Sequence, residues 1–86
     1  MQPYPFRPDQ PRHVQISAVL RDRILSGEVQ PRRPLPSEPR LQQEFGVARD
    51  TVRKAIVVLR DEGYVRTVPG MGTFVTDREQ WPDQSS

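Results

Sequence analysis

At 86 residues the chain has room for one small domain, which buries roughly 60% of the surface that its unfolded form exposes. It contains no cysteine, which excludes a disulfide framework and thiolate metal sites and makes a reducing, cytoplasmic setting the expectation. No apolar run approaches the roughly 18 residues of a membrane span, and the formal net charge of +2 is by itself too small to indicate nucleic acid.

Residues 1–11, MQPYPFRPDQP, hold four prolines and no hydrophobic period. They are expected to form a flexible, extended arm without a core of its own. A first helix is predicted from about Arg12 to Ser26, because Ile16, Leu20 and Ile24 recur one turn apart and Gly27 supplies the stop. Prolines 31, 34 and 36 then forbid helix and leave room around Leu35 for one short extended piece at most. Ser37 starts a second helix: its hydroxyl can cap free amides, Glu38 suits the positive end of the dipole, and Pro39 is tolerated in a first turn.

Leu41 and Phe45 give that helix its buried side, Gly46 breaks it, and Val47 plugs the turn. A third helix runs on to Gly63, with Val52, Ala55, Ile56 and Leu59 as its buried stripe. Tyr64 to Val68 and Thr73 to Thr76 are rich in β-branched and aromatic residues and flank Pro69-Gly70-Met71-Gly72, which predicts a hairpin. Tyr64 and Phe74 are assigned to the core. Residues 78–86 read as a polar tail that frays. The fold class is therefore mainly α with a small β-hairpin, a winged helix-turn-helix of three helices plus wing, spanning residues 12–77.

The third helix carries Arg49 and Arg53 one turn apart on its polar side, beside Thr51 and Lys54. In a winged helix that side faces the major groove, and arginine's planar fork matches guanine edges and phosphates. Twelve of the thirteen basic residues are arginine, although a GC-rich genome raises arginine usage without any function. As solvated charges, Arg53 would pair with Asp50 or the neighbourhood of Asp61. Asp50 and Lys54, one turn apart, read first as a helix-supporting pair.

The motifs LPSE (35–38), FGVARDTVRKAIVVLRDEG (45–63) and GMGTFV (70–75), preceded by ISAVLRDRILSGEVQP (16–31), resemble the DNA-binding domain of the GntR family of bacterial transcription regulators. The likeness covers about residues 14–76. It implies operator binding by a dimer, with a recognition helix and a glycine-tipped wing on the duplex. Carried onto this sequence, it implies that Arg49 and Arg53 contact bases or phosphates, that Thr51 donates to a phosphate, and that Gly70 lets the wing approach the minor groove.

Lys54, Arg32, Arg33 and Arg66 are expected to neutralise phosphates, and Ser37 and Arg40 complete the candidate DNA-binding set. Glu38 looks structural. Where the family usually has arginine after LPSE, Pro39 stands, and Arg40 projects about 100° further around the helix. Ala48 replaces the usual serine or threonine cap, and Arg32 replaces the usual glycine after Pro31.

Family members normally continue into an effector-binding or dimerisation domain, whereas this sequence stops about ten residues past the hairpin, so the expectation is a single-domain form with no small-molecule effector site. Pairing of copies is then expected to be weak or induced by DNA on an inverted repeat, with Tyr4, Phe6 and Trp81 as apolar anchors. No catalytic constellation surrounds His13, the only histidine. Neither metal-ligand spacing nor a phosphate-binding loop before a helix is present, so no enzyme, cofactor or metal is expected. The runner-up is a winged-helix interaction module in which the same arginines meet an acidic partner. That reading requires an exposed apolar patch on the third helix.

Overall fold

The computed structural model describes residues 4–82 and places a helix on each of the three periodic stripes. Helix α1 spans Arg12–Leu25 and buries Ile16, Leu20 and Ile24. Helix α2 spans Glu38–Phe45; Ser37 accepts from the Arg40 amide at 3.4 Å, and Gly46 closes the helix with a bond to the Gln42 carbonyl at 2.8 Å. Helix α3 spans Arg49–Asp61 and buries Val52, Ala55, Ile56 and Leu59. Ala48 stands at its N-cap without a side-chain bond, so the capping contribution of about 1 kcal/mol that serine or threonine supplies is absent.

Strands β1, Val65–Val68, and β2, Gly72–Val75, pair antiparallel with Val65 opposite Val75 and Arg66 opposite Phe74. Alternation turns Val65 and Val75 into the core, while Arg66 and Phe74 share the outer face. Phe74 is therefore half-exposed rather than core, unlike Tyr64, which is buried. The proline-rich segment covers the far edge of β2: Leu35 donates to Thr73 at 2.8 Å, and Val75 donates to Arg33 at 2.9 Å. Pro34, which has no N–H, forms a single bridge to Phe74 there.

Two expectations fail for one reason, which is that the core of so small a domain is incomplete without its ends. The arm is not free over its described part. Tyr4 meets Phe45 edge-on with ring centroids 4.8 Å apart, and Phe6 lies 4.7 Å from Tyr4. Gln15 fastens the crossing, accepting from the Arg7 amide and donating to the Arg7 carbonyl, both at 2.8 Å. At the other end, Arg78–Gln80 form a 3-10 turn, and Trp81 packs against Tyr64 while its indole N–H donates to the Thr76 carbonyl at 3.1 Å. The frayed-tail expectation is thus corrected for residues 78–82, and residues 83–86 lie outside the described residues. Tyr4, Phe6 and Trp81 are partly buried against this chain's own core.

Gly63 makes the C-terminal packing possible. Its φ is +92°, and a Cβ there would stand 2.5 Å from the Gln80 carbonyl oxygen. Gly63→Ala should therefore lower stability by about 1–3 kcal/mol, combining left-handed strain with displacement of the 3-10 turn. Thermal unfolding measures this, and an unchanged melting temperature would show that the turn moves aside without cost.

Candidate nucleic-acid interface

Helix α3 buries one stripe against α1 and α2, so geometry alone turns its opposite stripe outward. On that outward stripe Arg49 and Arg53 are exposed, and they converge on one carboxylate. Glu38, in the first turn of α2, stands 3.4 Å from Arg53 Nε through each of its oxygens and 3.9 Å from Arg49 Nε. This corrects the expected partner of Arg53, which is neither Asp50 nor the Asp61 neighbourhood. It also enlarges the role of Glu38, which both opens α2 and aligns the two arginines. Among the described residues no ion pair joins Asp50 to Lys54. The Glu38 pairs are solvent-exposed and contribute at most about 1 kcal/mol each to stability. Their effect is orientation.

Thr51 is half-buried at the start of α3 and Lys54 is exposed on it. The hairpin stands beside this face, so that Glu38, Arg53, Val57 and Arg60 border a cleft whose other wall is Thr67 and Thr73. At the hairpin tip Gly70 and Gly72 have φ of +77° and +119°. No atom lies within 4 Å of a Cβ built on Gly70, so its glycine is required by backbone conformation, not by crowding. The two turns leave Met71 70% exposed at the tip.

The remaining basic candidates fall into two further groups. Arg33 and Arg40 border a shallow cleft with Pro34 and Pro36. Arg32 and Arg66 lie together on the outer face of the hairpin, with Met71 and Phe74 between them. Arg32 and Arg33, adjacent in sequence, therefore border different clefts. Arg32 alone among the described non-glycine residues has positive φ, +67°, which explains why glycine is usual there. Its guanidinium binds Asp77 at 3.1 Å.

The hydrogen bond to Asp77 raises the Arg32 pKa, and the hydrogen bond to Glu44 raises that of Arg23 against an opposing desolvation. A raised cation pKa stabilises the fold at every pH below the unfolded value and is lost only above it. Both shifts therefore leave the charge of this surface unchanged near neutrality. Ser37, assigned to the DNA-binding set, has its oxygen committed to the Arg40 amide at 3.4 Å. Periodicity does not register residues such as Glu38, Thr67 and Thr73, because their proximity to α3 depends on how the helices cross.

Three packed helices, the third offering an arginine-bearing face beside a glycine-tipped antiparallel hairpin, define a winged helix-turn-helix. The family described as "Bacterial regulatory proteins, gntR family" matches residues 12–75, and the chain belongs to that family. Over 66 residues it is 44% identical to the HTH-type transcriptional repressor NagR of Bacillus subtilis, covering 77% of this chain and 27% of the repressor. With the mannosyl-D-glycerate transport/metabolism system repressor MngR of Escherichia coli it shares 40% over 67 residues, 78% of this chain and 28% of the relative. The chain thus spans little more than a quarter of the length of these relatives.

Among solved structures, the DNA-binding domain of AraR in complex with operator ORR3 matches at a TM-score of 0.77 and 36% identity, over 88% of this chain and 92% of that one. A GntR family transcriptional regulator from Listeria monocytogenes matches at a TM-score of 0.81 and 25% identity, over 87% and 67%.

Proposed function

We propose that this chain binds double-stranded operator DNA and represses transcription, inserting α3 into the major groove and laying the glycine-tipped hairpin on the adjacent backbone and minor groove. The single observation that carries the reading is the pair Arg49 and Arg53, exposed side by side on α3 and aligned by Glu38 beside the wing. The relatives' repressor names and the operator complex of AraR support it. Arg49 and Arg53 read base edges; Lys54, Arg33, Arg40 and Arg66 neutralise phosphates; Thr51 and the Gly70 backbone add polar contacts. Arg32 reaches DNA only by releasing Asp77. The interaction-module alternative is not favoured, because Val57, at 39%, is the one large apolar side chain that α3 leaves exposed.

A single module offers only about 600–1,000 Å² to DNA, too little for operator-level discrimination. Two copies on an inverted repeat supply the rest. Selection of bound sequences from a random duplex library, followed by sedimentation of the complex, tests both parts. The expected result is an inverted repeat holding two chains, with log affinity falling against log salt by about 0.9 for each neutralised phosphate. Undetectable duplex binding at low salt would overturn the reading. One chain per selected site at saturation would overturn the pairing alone.

A further inference from the structure

The hairpin tip holds no donor side chain. Val68, Pro69, Gly70, Met71 and Gly72 make the turn, and none of them is charged or carries a side-chain N–H or O–H. Pro69 has no backbone N–H either, and that of Met71 is committed to the Val68 carbonyl at 3.0 Å. What the tip presents instead is Met71, 70% exposed, where the other exposed large hydrophobics, Val14, Leu25 and Val57, lie between 37% and 40%.

Gly70 and Gly72, on either side of it, have φ of +77° and +119°, and open space surrounds the position of a Cβ on each. Met71 therefore projects alone between two stretches of bare backbone, a profile one side chain wide. A minor groove about 6 Å wide admits such a tip and would crowd one with side chains on both neighbours.

The floor of that groove offers acceptors at every base pair and a donor only on guanine. A lysine or arginine tip would read it by donating to it. A thioether has no N–H or O–H and is only a weak acceptor. Met71 gains there by burying apolar surface, and the apolar surface of a duplex lies between its stacked base pairs. We propose that Met71 is a wedge, which enters the minor groove and partly unstacks one base step, so that the operator is selected at that step by how readily it opens. Pyrimidine–purine steps open most readily, and apolar side chains inserted from the minor groove kink the duplex. Unbranched methionine adapts to the opened gap, while Pro69 fixes the backbone behind it. Arg66, two residues before Val68 and bordering the same outer cleft as Met71, anchors a phosphate beside the step. The proposal rests on the duplex-binding reading above. It adds to the arginines of α3 a specificity-determining residue that makes no hydrogen bond to a base.

The test repeats the selection from a random duplex library with Met71→Ala and Met71→Leu. Truncation of so exposed a side chain should leave the melting temperature unchanged, so that any difference belongs to DNA. The unmodified chain and Met71→Leu should select a pyrimidine–purine step outside the positions read by Arg49 and Arg53, and Met71→Ala should lose that preference alone. With 2-aminopurine in place of an adenine of the step, fluorescence should rise when the unmodified chain or Met71→Leu binds and stay quenched with Met71→Ala. Affinity of Met71→Ala for the selected site should fall roughly three- to thirtyfold, with the salt slope unchanged because no phosphate contact is lost. A Met71→Ala profile that keeps the step, or 2-aminopurine that stays quenched under the unmodified chain, overturns the wedge and leaves the duplex-binding reading standing. So does a Met71→Ala variant that weakens all duplexes alike with a shallower salt slope. Undetectable duplex binding by the unmodified chain overturns both.

Discussion

Arg53→Ala should weaken binding to a selected operator by about 1–3 kcal/mol, roughly five- to 150-fold, and relax the sequence preference at one base position. Arg49→Ala should do the same at a neighbouring position. The two effects should fall short of adding, because both guanidinium groups share Glu38 at 3.9 Å and 3.4 Å and removal of one lets the other reorient. Arg33→Ala is the contrast. Its guanidinium has no ion pair among the described residues and lies in the cleft with Arg40, away from α3. It should weaken all duplexes alike and lower the salt slope by about 0.9. Titration of each variant against the selected site and a scrambled duplex distinguishes these outcomes. An Arg53 variant that loses affinity equally for both duplexes would make Arg53 a phosphate anchor instead of a reader.

The elements were legible in the sequence because local signals for them agree. Stripes one turn apart, Ser37 as a cap and Gly46 as a stop each act within a few residues, and the three helices lie within two residues of their expected ends. The arginines of α3 were legible for the same reason: once the buried stripe is fixed, the opposite stripe must face out. Contacts between distant segments were not legible. Glu38 lies fifteen residues from Arg53 in sequence, and only the crossing of α2 and α3 brings them together. Proline content marked residues 4–11 as irregular, and they are. Irregular backbone does not imply a free chain, however, and two aromatic rings are enough to dock it. The outward position of Phe74 is not legible because both faces of a short hairpin carry apolar residues, and the register with Arg66 decides which face is buried.

Phe45→Ala should be the most destabilising change in the molecule. Phe45 closes α2, is fully buried, and carries Tyr4 on its edge at 4.8 Å and the Arg23 guanidinium over its ring at 5.9 Å. Truncation opens a cavity at the meeting point of three segments, with an expected cost of about 3–5 kcal/mol. A domain of this size has only about 4–13 kcal/mol in total, so the variant should be largely unfolded at modest urea concentration. The arm's share is measured separately by a Tyr4→Ala, Phe6→Ala double variant. It removes two rings packed on the core and should lower stability by about 1–3 kcal/mol. In urea, the midpoint should fall with little change in slope, since most of the surface exposed on unfolding belongs to the helices. A double variant that unfolds at the unmodified midpoint would restore the free arm that the prolines suggested. A clear loss would make the arm part of the domain, so that a truncation starting at α1 would lower duplex affinity through stability without removing a DNA contact.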